Sequence, residues 1–194
     1  MKFLYADSLD YVDPKYNFEN DESPLDREAY WDDVYAHEIM DRPPYDGLLV
    51  SRAIVDGING TSKYPRPLAM RFRLVGARAF LRYDTPKYQD CPVFGDCGAF
   101  SYVNEYVPPY TPEDMIDFYE DGCFTHGVSI DHIIFDYTPD AQTFWEGIDE
   151  DCPESDDRYR RFKLTLDLAE SFITLCKKHK VGFEPIGVVQ GWSQ

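Results

Sequence analysis

Long hydrophobic runs are missing from this sequence, and no stretch approaches the ~18 consecutive apolar residues that a membrane-spanning helix needs. The N-terminus, MKFLYADSLDY, becomes acidic too early for a secretory signal peptide. These absences predict a cytoplasmic protein with no membrane partner. The five cysteines include no Cys-x-x-Cys pair. We therefore expect reduced thiols rather than a disulfide framework, and no metal site within the chain.

Basic residues are also scarce, since 19 Lys and Arg stand against 36 Asp and Glu, for a net charge of −17 over 194 residues. That balance excludes an overall basic surface for nucleic acid. The exception is the basic island, residues 61–90, which has seven basic and two acidic side chains. Guanidinium groups bind phosphates bidentately, so Arg71, Arg73 and Arg78 are candidate phosphate contacts. The alternative is a solvated face paired with the protein's own carboxylates.

Aromatic residues are abundant, at 16% within a hydrophobic content of 43%, which excludes a disordered chain. The length predicts one domain. Leu68–Arg82 fits either a helix or a strand. The other segments predict helices over 25–40, 112–122 and 157–180, and strands near 2–6, 47–55, 92–97, 127–131 and 184–189. Alternation of strands with helices is typical of an α/β fold with parallel strands.

Polar residues follow three of the predicted strands, at Asp96, Asp131 and Gln190. Because functional sites in parallel α/β folds gather at the carboxyl ends of strands, we expect these side chains on one rim. Asp96 precedes a small-residue turn and then Phe100, a pattern suited to a flat ligand with a hydrogen-bonding edge. The alternative for Asp96 is a tight turn that its carboxylate caps.

A carboxylate at a buried strand end, such as Asp131, needs a partner or a function. The alternative is that Asp131 has no role in a site and forms an ion pair with an arginine. His132 should point to the opposite face from Asp131. The Gln190 amide, beside Gly191, both donates and accepts hydrogen bonds, which suits the mixed edge of a nucleobase.

Four short motifs occur in the order found in a known family. Asp-Cys-Gly-Ala-Phe at 96–100 resembles the Asp-Ser-Gly-Gly/Ala-Phe/Tyr signature of the tRNA-guanine transglycosylase family. The helix opening Thr111–Asp114, then Ser-Ile-Asp at 129–131 and Gly-Val-Val-Gln-Gly at 187–191, follow as in that family. The N-terminal third looks closer to the DpdA-like branch, which inserts 7-deazaguanine into DNA.

This resemblance implies an incomplete (β/α)8 TIM barrel of about the first five strands, with residues 1–194 as its N-terminal portion. The implied reaction exchanges a purine for a 7-deazaguanine in DNA or tRNA. Asp96 would be the catalytic carboxylate that moves the proton, and Phe100 would stack on the base. Asp131, Gln190 and Gly191 would bind its edge.

The family's nucleophilic aspartate and zinc site lie beyond the matched region, so the resemblance implies no cofactor in this chain and no activity alone. One hypothesis is an enzyme portion whose partners are guanine or 7-deazaguanine, a polynucleotide, and a second chain that supplies the other half of the barrel. The alternatives are a catalytically inert base-binding or interaction protein, and a decayed reading frame. The sequence contains no Gly-x-Ser-x-Gly motif, which argues against an α/β hydrolase.

Overall fold

The computed structural model of the protein describes residues 2–7, 9–42, 45–58, 63–137 and 146–192. None of the helices in these ranges is long and apolar enough to cross a bilayer. In chain order, the elements are β1 (Leu4–Ala6), β2 (Tyr11–Val12), β3 (Val34–Tyr35), α1 (Ala36–Ile39), β4 (Gly47–Ser51), α2 (Arg52–Asp56), α3 (Arg66–Phe80), β5 (Val93–Asp96), α4 (Pro112–Asp121), β6 (His126–Val128), α5 (Asp157–His179) and β7 (Glu184–Ile186).

Five strands form a parallel sheet in the order β1-β4-β5-β6-β7. Each strand therefore pairs with the next strand of the sheet along the chain, with helices α2 to α5 in the connections. The predicted α/β fold with parallel strands is confirmed, and the strand order is compatible with part of a (β/α) barrel. A separate antiparallel pair, β2 and β3, lies in the connection between β1 and β4.

The two faces of this sheet differ in burial. Leu48, Val50 and Val93 are buried on one face, the face on which Tyr119 of α4 lies against Gly95 of β5. The side chains between them, among them Ser51 and Asp96, point to the other face and are only half-buried. This open face is where the predicted site residue Asp96 lies.

The structure confirms the predicted starts of helices α4 and α5. Thr111 caps α4, because its Oγ1 accepts from the Asp114 amide at 3.2 Å while its own amide donates to Asp114 Oδ2 at 2.9 Å. Asp156 caps α5 by accepting from the Arg158 amide at 2.9 Å. The last residue of that helix is His179, and Lys180, which caps it, adopts the left-handed conformation (φ 54°) two residues before the predicted stop at Gly182.

The helix predicted over residues 25–40 is wrong, since only Ala36–Ile39 is helical there and turns and β3 fill the rest. Tertiary contacts override the local pattern. Tyr30 has a φ of 74° and is buried against Phe80, with ring centroids 5.0 Å apart. Arg27 and Asp33 form an ion pair of 2.6 Å that closes the turn.

The segment that fitted either structure, Leu68–Arg82, is helical as far as Phe80, with a kink at Gly76. Gly76 has a φ of 79°, and a Cβ there would lie 3.2 Å from the Gly122 carbonyl oxygen. Three of the predicted strands are too long. The strands predicted over 47–55, 127–131 and 184–189 end in the structure at Ser51, Val128 and Ile186.

Candidate active site

Asp96 is the last residue of β5, and its carboxylate organises the turn that follows. Oδ2 accepts from Ser51 Oγ, at the end of β4, at 2.9 Å and from the Gly98 amide at 3.0 Å. Gly98 has a φ of 83°, and a Cβ there would lie 2.7 Å from Ala53 Cβ, so only glycine fits. Asp96 therefore does cap a tight turn, and it does so at the carboxyl end of the strand on the open face.

Asp131 lies in the irregular segment after β6 and is 9% exposed. Its Oδ1 accepts from the Cys97 thiol at 3.1 Å, and its Oδ2 accepts from the Gln190 amide. No ion pair with arginine involves Asp131 in the part of the chain that the structure describes. Burial raises the pKa of Asp131, and the neighbouring Asp96 charge raises it further, while the Cys97 hydrogen bond opposes both.

Gln190 follows β7, and its amide joins two irregular segments. Its Oε1 accepts from the Ile134 amide at 3.1 Å while its Nε2 donates to Asp131. Next to it, the Val188 amide donates to Ser129 Oγ at 3.1 Å. The structure thus brings Asp96, Asp131 and Gln190 together on one rim, connected through Cys97, whose sulfur lies 3.8 Å from Asp96 Oδ1.

Exposed apolar side chains adjoin this cluster in the sequence. Phe100, in the short 3₁₀ helix Ala99–Tyr102, is 76% exposed, and its ring lies 6.1 Å from the ring of the exposed Phe135. Val189, beside Gln190, is also exposed, as is Gly191. Buried polar groups next to exposed apolar ones are typical of a small-molecule site.

Three members of the cluster were not singled out from the sequence: Ser51, Cys97 as a hydrogen-bond donor, and Tyr102. Ser51 follows the apolar run Gly-Leu-Leu-Val, which is the same signal that marked Asp96 and Asp131. Tyr102 carries no such signal, because its position depends on the 3₁₀ turn that brings it back towards Cys97 and Asp131, at 2.9 Å and 3.0 Å.

Asp96, Cys97 and Asp131 offer ligand atoms within 4.8 Å of one another. Donors from the chain nevertheless occupy both oxygens of Asp131. Burial and the two carboxylates raise the pKa of the Cys97 thiol well above its usual range, so the thiol keeps its proton. The arrangement therefore favours hydrogen bonding to a neutral organic group over ligation of a cation.

His132 belongs to a different network, as its position beside Asp131 predicted. The ring is fully buried, with Nε2 2.8 Å from the Glu105 carbonyl oxygen and Nδ1 2.7 Å from an Arg161 nitrogen. Arg161 can only donate, so Nδ1 accepts and Nε2 donates. Burial lowers the pKa of His132, which keeps the ring neutral at neutral pH.

The three candidate phosphate contacts lie on α3, and their own contacts are with residues outside the Asp96–Asp131 cluster. Arg78 donates to the carbonyl oxygens of Tyr88 and Cys91, at 3.3 and 3.1 Å, and Arg73 pairs with Asp56. Arg71 lies over the exposed Trp31 ring at 4.4 Å.

No known protein-family model matches the chain. The chain is 40% identical, over 195 aligned positions, to a curated protein of Salmonella montevideo named DNA-guanine transglycosylase. The similarity covers 100% of this chain and 44% of that relative. The chain therefore spans less than half the length of the curated relative it matches.

Proposed function

We propose that the chain is the base-binding portion of an enzyme that exchanges guanine in DNA for a 7-deazaguanine, because its whole length is similar to 44% of a protein named DNA-guanine transglycosylase. Such an exchange breaks one N-glycosidic bond and forms another at the same sugar carbon. The name of the relative supports DNA over tRNA as the polynucleotide. The observation that carries the proposal is the convergence of Asp96, Asp131 and Gln190 at the carboxyl edge of the parallel sheet.

The hydrogen-bonding edge of guanine matches the Asp131–Gln190 pair. Guanine and 7-deazaguanine both present adjacent N–H donors and a carbonyl oxygen. An ionised carboxylate accepts the donors, and an amide N–H donates to the carbonyl. Within the chain the Gln190 amide donates to Asp131. A bound base would replace this contact with hydrogen bonds of its own, which offsets much of the desolvation of both side chains.

Asp96 and Phe100 have the other two roles in this proposal. Asp96 takes and returns the proton of the leaving and entering bases, since its half-buried carboxylate lies on the open face near Asp131. Its Oδ2 is already fixed by Ser51 and Gly98, which orients the carboxylate for that transfer. The exposed Phe100 ring stacks on the base, a contact that contributes ~1–3 kcal/mol.

We assign the nucleophile that attacks the sugar carbon to polypeptide outside the matched region. Among the described residues, the hydrogen bonds of the cluster involve two carboxylates, and both have roles above. β1 and β7 each pair on one side only within the described sheet. Polypeptide equivalent to the rest of the relative, in the same protein or as a second chain, would pair with these strands and complete the site.

The test is calorimetric titration of the 194-residue chain with guanine, 7-deazaguanine and adenine. We expect weak binding of the first two and at least ~10-fold weaker binding of adenine, which presents a ring nitrogen lone pair where guanine has an N–H. Isotope exchange of guanine in DNA should need the completing polypeptide. Equal affinity for adenine would contradict the assignment of Asp131, and exchange by this chain alone would place the nucleophile within it.

A second prediction concerns the basic island and the polynucleotide. Arg71 lies over the Trp31 ring, and its Nε donates to the Tyr30 hydroxyl at 3.2 Å. Within the described ranges it has neither a carboxylate nor a carbonyl partner, so its terminal nitrogens are available to a phosphate. We expect Arg71→Ala to weaken DNA binding and to reduce the salt slope of log K by about 1. Guanine affinity should not change. Lys163→Ala, which removes a cation paired with Asp167 on α5, is the control. An unchanged salt slope in Arg71→Ala would rule out the phosphate contact.

A further inference from the structure

Two side chains that the proposed function leaves unused converge on Asp131. The Cys97 sulfur lies 3.1 Å from Asp131 Oδ1, and the Tyr102 hydroxyl lies 2.9 Å from that sulfur. The same hydroxyl lies 3.0 Å from the main-chain carbonyl oxygen of Asp131. Cys97 and Tyr102 are almost completely buried. The carboxylate of Asp131 is thus fixed from one side by this pair and from the other by Gln190.

The direction of these hydrogen bonds follows from the available protons. An ionised carboxylate only accepts, so the thiol must donate to Asp131 Oδ1. The sulfur and the Asp131 carbonyl oxygen share the single Tyr102 proton in a three-centre hydrogen bond. Tyr102 therefore joins the thiol to the backbone that carries Asp131. Since an O–H donor to the sulfur polarises the S–H bond, the Tyr102 contact strengthens the hydrogen bond from the thiol to Asp131.

A buried cysteine between two aspartates at a candidate active site could be mistaken for a nucleophile. The electrostatics argue against that role. Burial, Asp96 and Asp131 all raise the pKa of Cys97, so the reactive thiolate is suppressed at neutral pH. The same environment preserves the S–H proton, which is the state needed to donate a hydrogen bond. Tyr102 also keeps its proton, because burial raises its pKa.

We propose that Cys97 and Tyr102 are positioning residues that hold the Asp131 carboxylate in the orientation and ionised form that accept the N–H groups of the base. The expected effect on base affinity rests on the proposed function. The expected effect on the pKa of the Asp131 carboxyl group does not, and it can be measured on this chain by itself. Among the residues that the structure describes, the titratable groups that face Asp131 are Asp96, Cys97 and Tyr102.

The proposal makes opposite predictions for two substitutions of Cys97. Cys97→Ala removes a donor to the ionised form, so the pKa of Asp131 should rise. The pH below which guanine affinity falls, as Asp131 becomes protonated, should rise with it. Cys97→Ser supplies a stronger O–H donor, so the pKa should fall or stay, and binding should be kept. At neutral pH we expect about 5-fold weaker guanine binding in Cys97→Ala. Cys152→Ala, at an exposed cysteine, is the control.

Tyr102→Phe should move the pKa of Asp131 in the same direction as Cys97→Ala, while Tyr106→Phe, at an exposed ring, should not. The measurement is a ¹³C NMR titration of the Asp131 carboxyl carbon, alongside calorimetry with guanine from acid to neutral pH. An unchanged Asp131 pKa in both Cys97→Ala and Tyr102→Phe would overturn the proposal, whatever the base affinity. A pKa that rises in a chain that binds no guanine would support the positioning role and contradict the proposed function.

Discussion

Replacing Asp131 by alanine abolishes guanine binding if the site works as proposed. Two hydrogen bonds from the base to a carboxylate are lost, each contributing ~1.5–3 kcal/mol, so the affinity should fall by at least ~100-fold. Cys97 and Gln190 also lose the acceptor that orients them. The loss should be as large for 7-deazaguanine, because the two bases share this edge. Calorimetric titration of both bases measures it.

Asp131→Asn separates recognition from folding. The amide keeps the shape of the carboxylate, but its NH₂ group cannot accept a hydrogen bond. This group would face an N–H donor of the base or a donor of the chain, so base binding should again be lost. Stability should fall by less than the ~1–3 kcal/mol that one buried donor facing another costs, because the removal of the buried charge offsets part of this cost. Burial raises the folded-state pKa of Asp131, so the ionised group destabilises the folded state at neutral pH. This cost disappears as the pH falls through the raised pKa towards the unfolded value.

The control for both variants is Asp117→Asn, which neutralises an exposed carboxylate on α4. It should leave guanine affinity and the free energy of unfolding unchanged. If Asp131→Asn binds guanine as tightly as the original chain, the edge-reading role of Asp131 is wrong. If it lowers the free energy of unfolding in urea by several kcal/mol, Asp131 is a structural group rather than a recognition group.

Local signals in the sequence predicted those parts of the fold that depend on neighbouring residues. The capping box of Thr111 and Asp114 describes the start of α4, and α5 follows its predicted range closely. The predicted strands lie in the right places, but three are too long. Apolar character continues beyond the last ladder hydrogen bond, as at Arg52–Asp56, where the chain after β4 turns at once into α2. Hydrophobicity marks burial, not strand pairing.

The site was partly predictable for a topological reason. In a parallel sheet, the carboxyl ends of all strands lie at the same edge. Asp96, Asp131 and Gln190 could therefore be grouped from their positions at or after the ends of predicted strands. Tyr102 could not, because its place depends on the left-handed Gly98 and the 3₁₀ turn after it. The helix expected over residues 25–40 failed for a similar reason, since Tyr30 is fixed by the distant Phe80.

The alignment of the site strands depends on one buried ring, Tyr119 of α4. Gly95 of β5 and Gly127 of β6 are register partners, and a Cβ at either would overlap this ring. The Tyr119 hydroxyl donates to the Val128 carbonyl oxygen at 2.7 Å. The ring therefore lies flat against two adjacent strands, one of which ends at Asp96, while the other leads to Asp131.

Tyr119→Ala should be the most destabilising of the substitutions considered, at about 3–5 kcal/mol, because it leaves a cavity against both glycines. Tyr119→Phe keeps the ring and loses one hydrogen bond, for about 1 kcal/mol. Gly95→Ala should cost about 1–3 kcal/mol through overpacking against the ring. Urea unfolding followed by circular dichroism gives all three free energies.

The double variant Gly95→Ala/Tyr119→Ala tests the contact itself. The new methyl group occupies space that the ring has vacated, so the combined destabilisation should be smaller than the sum of the two single effects, by more than ~0.5 kcal/mol. Additive effects would mean that Gly95 is small for a reason other than Tyr119. Since the ring holds β5 against β6, Tyr119→Phe should retain guanine binding, whereas Tyr119→Ala should lose it even where the chain remains folded.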